Sequence, residues 1–177
     1  MWAIVKDNKI TETFSNLKGL VIGDTQYSRN ILSFRWSEAE RNAIGVYTIV
    51  HDNSNQKDNS LYTNTEVSYT FADGKVTASY GTATPKELDD VKFQKKANIR
   101  QQASEMLTDT DWYVVKATEV ESYSVPEAVT TYRADARTAS NDMESKIDAC
   151  STVDELAALY VYTDGSRPLG EFPTLET

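Results

Sequence analysis

Two segments in the second half of the chain limit its fold more than anything else. Val129, Tyr132, Ala136, Ala139, Met143, Ile147 and Cys150 recur at spacings of three and four. That spacing lines one face of a helix with apolar groups. Upstream, no proline or glycine interrupts the 22 residues after Pro85, and Leu88, Val91, Ile99, Ala103 and Met106 can share an inward face. Thr84-Pro85-Lys86-Glu87 and Ser124-Val125-Pro126-Glu127 each supply a hydroxyl cap, an early proline and a glutamate at the third position, the signature of a helix start. Helices are therefore expected from Pro85 to about Leu107 and from about Val125 to Cys150. The short connection implies antiparallel packing. Thr152-Val153-Asp154-Glu155 caps a third, short helix to about Tyr160. DGSRPLGEFPTLET, with two prolines and two glycines, reads as an extended end.

The first half reads as short strands. Val67, Tyr69 and Phe71 alternate, as do Val76, Ala78 and Tyr80, around Asp73-Gly74. A two-residue turn there pairs Phe71 with Val76, Tyr69 with Ala78 and Val67 with Tyr80 on one face. Trp2–Val5 and Ile10–Phe14 form a second hairpin around Asp7-Asn8. Gly19–Ile22, Tyr27–Phe34 and Val46–Val50 are further strand candidates. Ser37 and Glu40 make a capping box for a brief helix that stops at Gly45. His51 to Ser60 is a polar loop. The expected class is α+β: a small antiparallel β module over 1–84, a helical hairpin with a short third helix over 85–162, and an extended tail over 163–177.

The charge is uneven. Net charge is −9, and residues 108–177 carry five Lys/Arg against fourteen Asp/Glu. Such a balance argues against a nucleic-acid surface and suits a solvated acidic face or docking onto a basic partner. The single cysteine, Cys150, permits no internal disulfide. No run reaches membrane-spanning length, and Lys6-Asp7 cuts off the apolar opening too early for a signal peptide.

Residues for chemistry are scarce. His51 is the only histidine, too few ligands for a zinc site, and no nucleophile elbow or glycine-rich phosphate loop accompanies it. Asp52, Asp58 and the nearby asparagines lack calcium-loop spacing. Asp109 and Asp111 form the one acid pair worth weighing as a general acid and base, beside Trp112. An acid pair needs two different environments to split its pKa values, and no nucleophile or base stands near this one in sequence. The expectation is no catalytic, cofactor, metal or small-molecule site. Asp111 should instead be held by Arg133 or Arg137 across a helical corner, with Trp112 packed into it.

Arg100, Leu107, Thr110-Asp111-Trp112, Pro126, Tyr132-Arg133 and Arg137 together form a pattern. It resembles the arginine–leucine–TDW–proline–YR–arginine signature of tail proteins and tail-assembly chaperone-like proteins of tailed bacteriophages. The match covers about Ala97–Asp142. The resemblance implies no catalysis and no cofactor. It implies a structural part of the virion in the tail, baseplate or fibre-attachment region, made in the host cytoplasm. Its partners would be other virion proteins, and cyclic or isologous assembly is the general expectation for a homo-oligomer. The alternative it leaves open is a tail or tail-fibre assembly chaperone that leaves before the particle is complete. On either reading Arg167, Leu169 and Phe172 are candidate interface residues in the tail.

Overall fold

The computed structural model describes residues 1–33 and 35–175. In chain order the elements are β1 (Trp2–Lys6), β2 (Lys9–Phe14), β3 (Leu20–Ile22), β4 (Thr25–Tyr27), α1 (Glu38–Ala43) and β5 (Val46–Asp52). They continue with β6 (Tyr62–Thr63), β7 (Val67–Ala72), β8 (Lys75–Tyr80) and β9 (Thr84–Pro85), then α2 (Leu88–Thr108), α3 (Asp111–Glu119), α4 (Glu127–Ala149) and α5 (Val153–Ala158). The class is α+β. The chain divides into two compact units, Met1–Asn59 with Thr63–Thr84, and Ser60–Tyr62 with Pro85–Thr177.

The first unit holds a five-stranded sheet in the order β2-β1-β5-β8-β7. Its two hairpins close on Asp7-Asn8 and Asp73-Gly74, all four residues at positive φ, as the favoured two-residue turn requires. The β7–β8 register is Val67↔Tyr80, Tyr69↔Ala78 and Phe71↔Val76. In β1–β2 a bulge between Ile4 and Val5 shifts the register. One departure from an all-antiparallel module is that β5 and β8 run parallel. The reason lies in burial. β8 buries Val76 and Ala78 whereas β7 buries no residue fully, so β8 takes the interior place beside β5 and β7 takes the edge. Apolar residues cover both faces of the sheet. Phe14 and Val46 pack with Leu20, Ile31 and Leu32 on one. Ala3, Ile49, Val76 and Ala78 pack under Tyr47 and Phe71 on the other.

A strand expected over Tyr27–Phe34 is instead the three-residue β4 followed by a 3₁₀ turn at Arg29–Leu32. Ser28 caps that turn by accepting a bond from the Asn30 N–H, which favours a turn over extension. Phe34 lies outside the described residues. α1 begins as expected, with Ser37 and Glu40 bonded reciprocally.

The second unit is built on α2 and α4. Lys96 bonds Asp148, Arg100 bonds Glu144 and Arg133 bonds Leu107, so position rises along α2 as it falls along α4 and the two are antiparallel. Val91, Ile99 and Ala103 are buried from α2, and Val129, Ala136, Met143 and Ile147 from α4. Both helix starts differ from the expected caps. Thr84 and Pro85 are in β9, the Lys86 N–H bonds the Leu61 carbonyl, and α2 starts only at Leu88. For α4 the cap is Pro126, not Ser124, and no side chain caps it. The expected caps at Thr84 and Ser124 therefore go unused. Residues 60–62 belong to this unit, with Leu61 and Tyr62 buried, so the polar loop ends in packing residues that the boundary at 84 missed.

The end of the chain is not a free extended tail. A tight turn pairs Thr163 with Ser166, with Asp164 and Gly165 at positive φ. Leu169 then returns into the unit. It is 2% exposed, its N–H bonds the Leu159 carbonyl, and Lys146 donates to the Pro168 and Leu169 carbonyls.

Candidate functional site

The stretch after α2 is not a loop corner but a helix. Asp111–Glu119 forms α3, entered through Thr110, a residue only 2% exposed. Arg133 on α4 reaches back to it. One Nη atom donates to the Leu107 carbonyl at 2.7 Å and to Thr110 Oγ1 at 2.6 Å, and the other to Asp111 Oδ1 at 2.8 Å. Thr110 Oγ1 in turn donates to the Leu107 carbonyl at 2.9 Å. This set adds side-chain donors to the Leu107 carbonyl in the last turn of α2, which also accepts from the Thr110 N–H, and places a carboxylate in the first turn of α3, where the helix dipole favours it. The guanidinium side chain is 12% exposed and the Asp111 side chain 55%.

Further along the same helix pair Arg100 takes Glu144 with Nε at 3.0 Å and an Nη at 2.5 Å. Lys96 takes Asp148 at 2.6 Å. The Lys96 bond holds the Asp148 carboxyl below its ordinary value. Between these rungs and the Arg133 corner lies a groove of about 560 Å3. Arg100, Leu107, Asp111, Arg133, Arg137 and Ser140 are among its walls. Five of these residues belong to the sequence signature, so the structure brings a dispersed motif to one surface.

The remaining predicted positions divide. Arg137 does not hold Asp111; its Nη1 donates to the Arg133 carbonyl at 3.0 Å, and no carboxylate pairs with it among the described residues. Trp112 is not wedged between helices. It is 52% exposed and meets Tyr113 and Lys116, because α3 turns it outward. Asp109 is the C-cap of α2 with an exposed side chain. Leu169 cannot anchor a neighbour, because it fills its own unit. Arg167 is bonded to Glu171 and lies near the rings of Tyr160 and Tyr162, and Phe172 is half-buried.

Two features escaped the sequence. Ser140 lines the groove at 7% exposure; its spacing of four from Ala136 was the available signal. Val114 and Val115 are exposed on α3, but a Trp-Tyr-Val-Val run reads as strand rather than helix. Among the described residues, no group of three or more His, Cys, Asp or Glu could hold a metal, and no helix is long and apolar enough to cross a membrane. Comparison with family models, curated proteins and solved structures gives no match.

Proposed function

We propose that this chain is a non-enzymatic structural component of a tailed-phage virion, in the tail, baseplate or fibre-attachment region, acting through contacts with other virion proteins. The observation that carries this is the convergence of Arg100, Leu107, Asp111, Arg133 and Arg137 on one groove, next to a helix that buries none of its residues. Those residues are the ones through which the sequence resembles phage tail and tail-assembly proteins. An exposed Trp is a residue type enriched at interfaces, and on this short helix it stands beside two exposed Val that add apolar surface. The pairing of Asp111 with Arg133 favours a structural over a catalytic role for the acidic residues at this corner.

Mass spectrometry of purified particles tests the assignment. The chain is expected as a component in fixed ratio to the tail proteins. Recovery bound to a tail or fibre protein in infected-cell lysate, with none in particles, would replace this reading by that of an assembly chaperone.

A further inference from the structure

A nine-residue helix is marginal in water without packing, and α3 has no buried residue. Helical spacing puts Asp111, Val114 and Val115 on one face. Asp111 lines the groove, and Val114 and Val115, 39% and 52% exposed, share its side of α3. The groove itself is charged and incomplete. Arg133 is paired with Asp111 and Arg100 with Glu144, which leaves Arg137 as the surplus cation in a chain of net charge −9. One helical turn from it, Ser140, 7% exposed, lines the same groove.

We propose that the groove between α2 and α4, together with the exposed face of α3, docks a segment of another protein chain. That segment presents a side-chain carboxylate to Arg137 and Ser140 and an apolar side chain to Val114 and Val115. Charge complementarity selects the carboxylate, and a bidentate guanidinium–carboxylate pair supplies direction as well as attraction. Nucleic acid does not suit the site, because Asp111 and Glu144 flank the guanidinium groups and would repel successive phosphates.

The inference rests on the reading that the protein works by protein contacts, yet it can fail separately. The test is an NMR titration of the full-length chain with the doubly capped peptide acetyl-Leu-Glu-Leu-Glu-Leu-amide and its glutamine counterpart. The acidic peptide is expected to shift the amides of Arg137, Ser140, Val114 and Val115. Affinity should fall about tenfold or more for the glutamine peptide and, with the acidic peptide, for Arg137→Gln. Equal binding of the two peptides, unchanged affinity in Arg137→Gln, or no groove shift up to about 1 mM peptide overturns the proposal. Peptide binding without incorporation into particles removes the virion assignment and leaves the groove; incorporation without peptide binding does the reverse.

Discussion

Arg133 does more for the second unit than its ion pair suggests. Its partner Asp111 is 55% exposed, and a solvent-screened pair contributes about 0–1 kcal/mol. The bonds to the Leu107 carbonyl and Thr110 Oγ1 lie deeper, and a charged donor lost from a buried acceptor costs about 1.5–3 kcal/mol. Arg133→Ala is therefore expected to lower stability by about 2–3 kcal/mol in urea denaturation, and Asp111→Asn by about 0.5 kcal/mol. Equal losses would show that the ion pair, not the bonds to Leu107 and Thr110, holds the corner. Tyr62 offers a second residue-scale test. Burial, then its 2.5 Å bond to Asp154, pushes its hydroxyl up from 10.0 to about 12. The folded state keeps that proton where the unfolded chain loses it. The contribution is thus complete below pH 10 and lost as pH rises towards about 12. In denaturation at stepped pH, the stability gap between the wild type and Tyr62→Phe should narrow over that interval; a constant gap contradicts the assignment.

At the scale of elements, the sequence is readable wherever one local signal acts alone. Asp73-Gly74 specified the β7–β8 register because a turn with two positive φ values leaves few residue choices. The α4 stripe was readable because its apolar positions face α2. Signals failed where tertiary contacts competed. Pro85 looked like a first helical residue, yet the Lys86 N–H went to Leu61, a contact 25 positions away that no local pattern announces. α3 was hidden by its own composition, since β-branched and aromatic residues favour strands. The corner pair could be anticipated from charge alone, but Ser140 and the outward face of α3 depend on where α4 lies. Gly45 gives an element-scale prediction. It sits at φ +82, an added Cβ would lie 2.6 Å from the Val5 carbonyl oxygen, and its own carbonyl accepts from the Val5 N–H, tying β1 to the residue before β5. Gly74, at φ +71, has nothing within 4 Å. Gly45→Ala should cost about 2–3 kcal/mol, from left-handed strain plus the clash, and Gly74→Ala about 1 kcal/mol, from strain alone. Thermal unfolding of the two variants measures the difference; equal shifts would mean β1 yields to the added methyl.

For the molecule as a whole, the acidic excess of residues 108–177 is partly spent inside the second unit. Glu144 and Asp148 answer the basic face of α2, and Glu171 answers Arg167. The interface expected in the last fifteen residues is replaced in part by intramolecular packing, because Leu169 is needed to close the unit. Arg137 has a backbone bond to Arg133 but no carboxylate partner among the described residues, and α3 buries none of its residues. The central claim is that this chain acts by being held in an assembly through that surface. Quantitative mass spectrometry of particles assembled with Val115→Glu in place of the wild-type chain addresses it most directly. An exposed substitution changes stability by about 0.5 kcal/mol or less, so the variant should fold as the wild type does, yet it should be strongly depleted from particles. Incorporation at the wild-type level by a normally folded Val115→Glu chain would contradict the account.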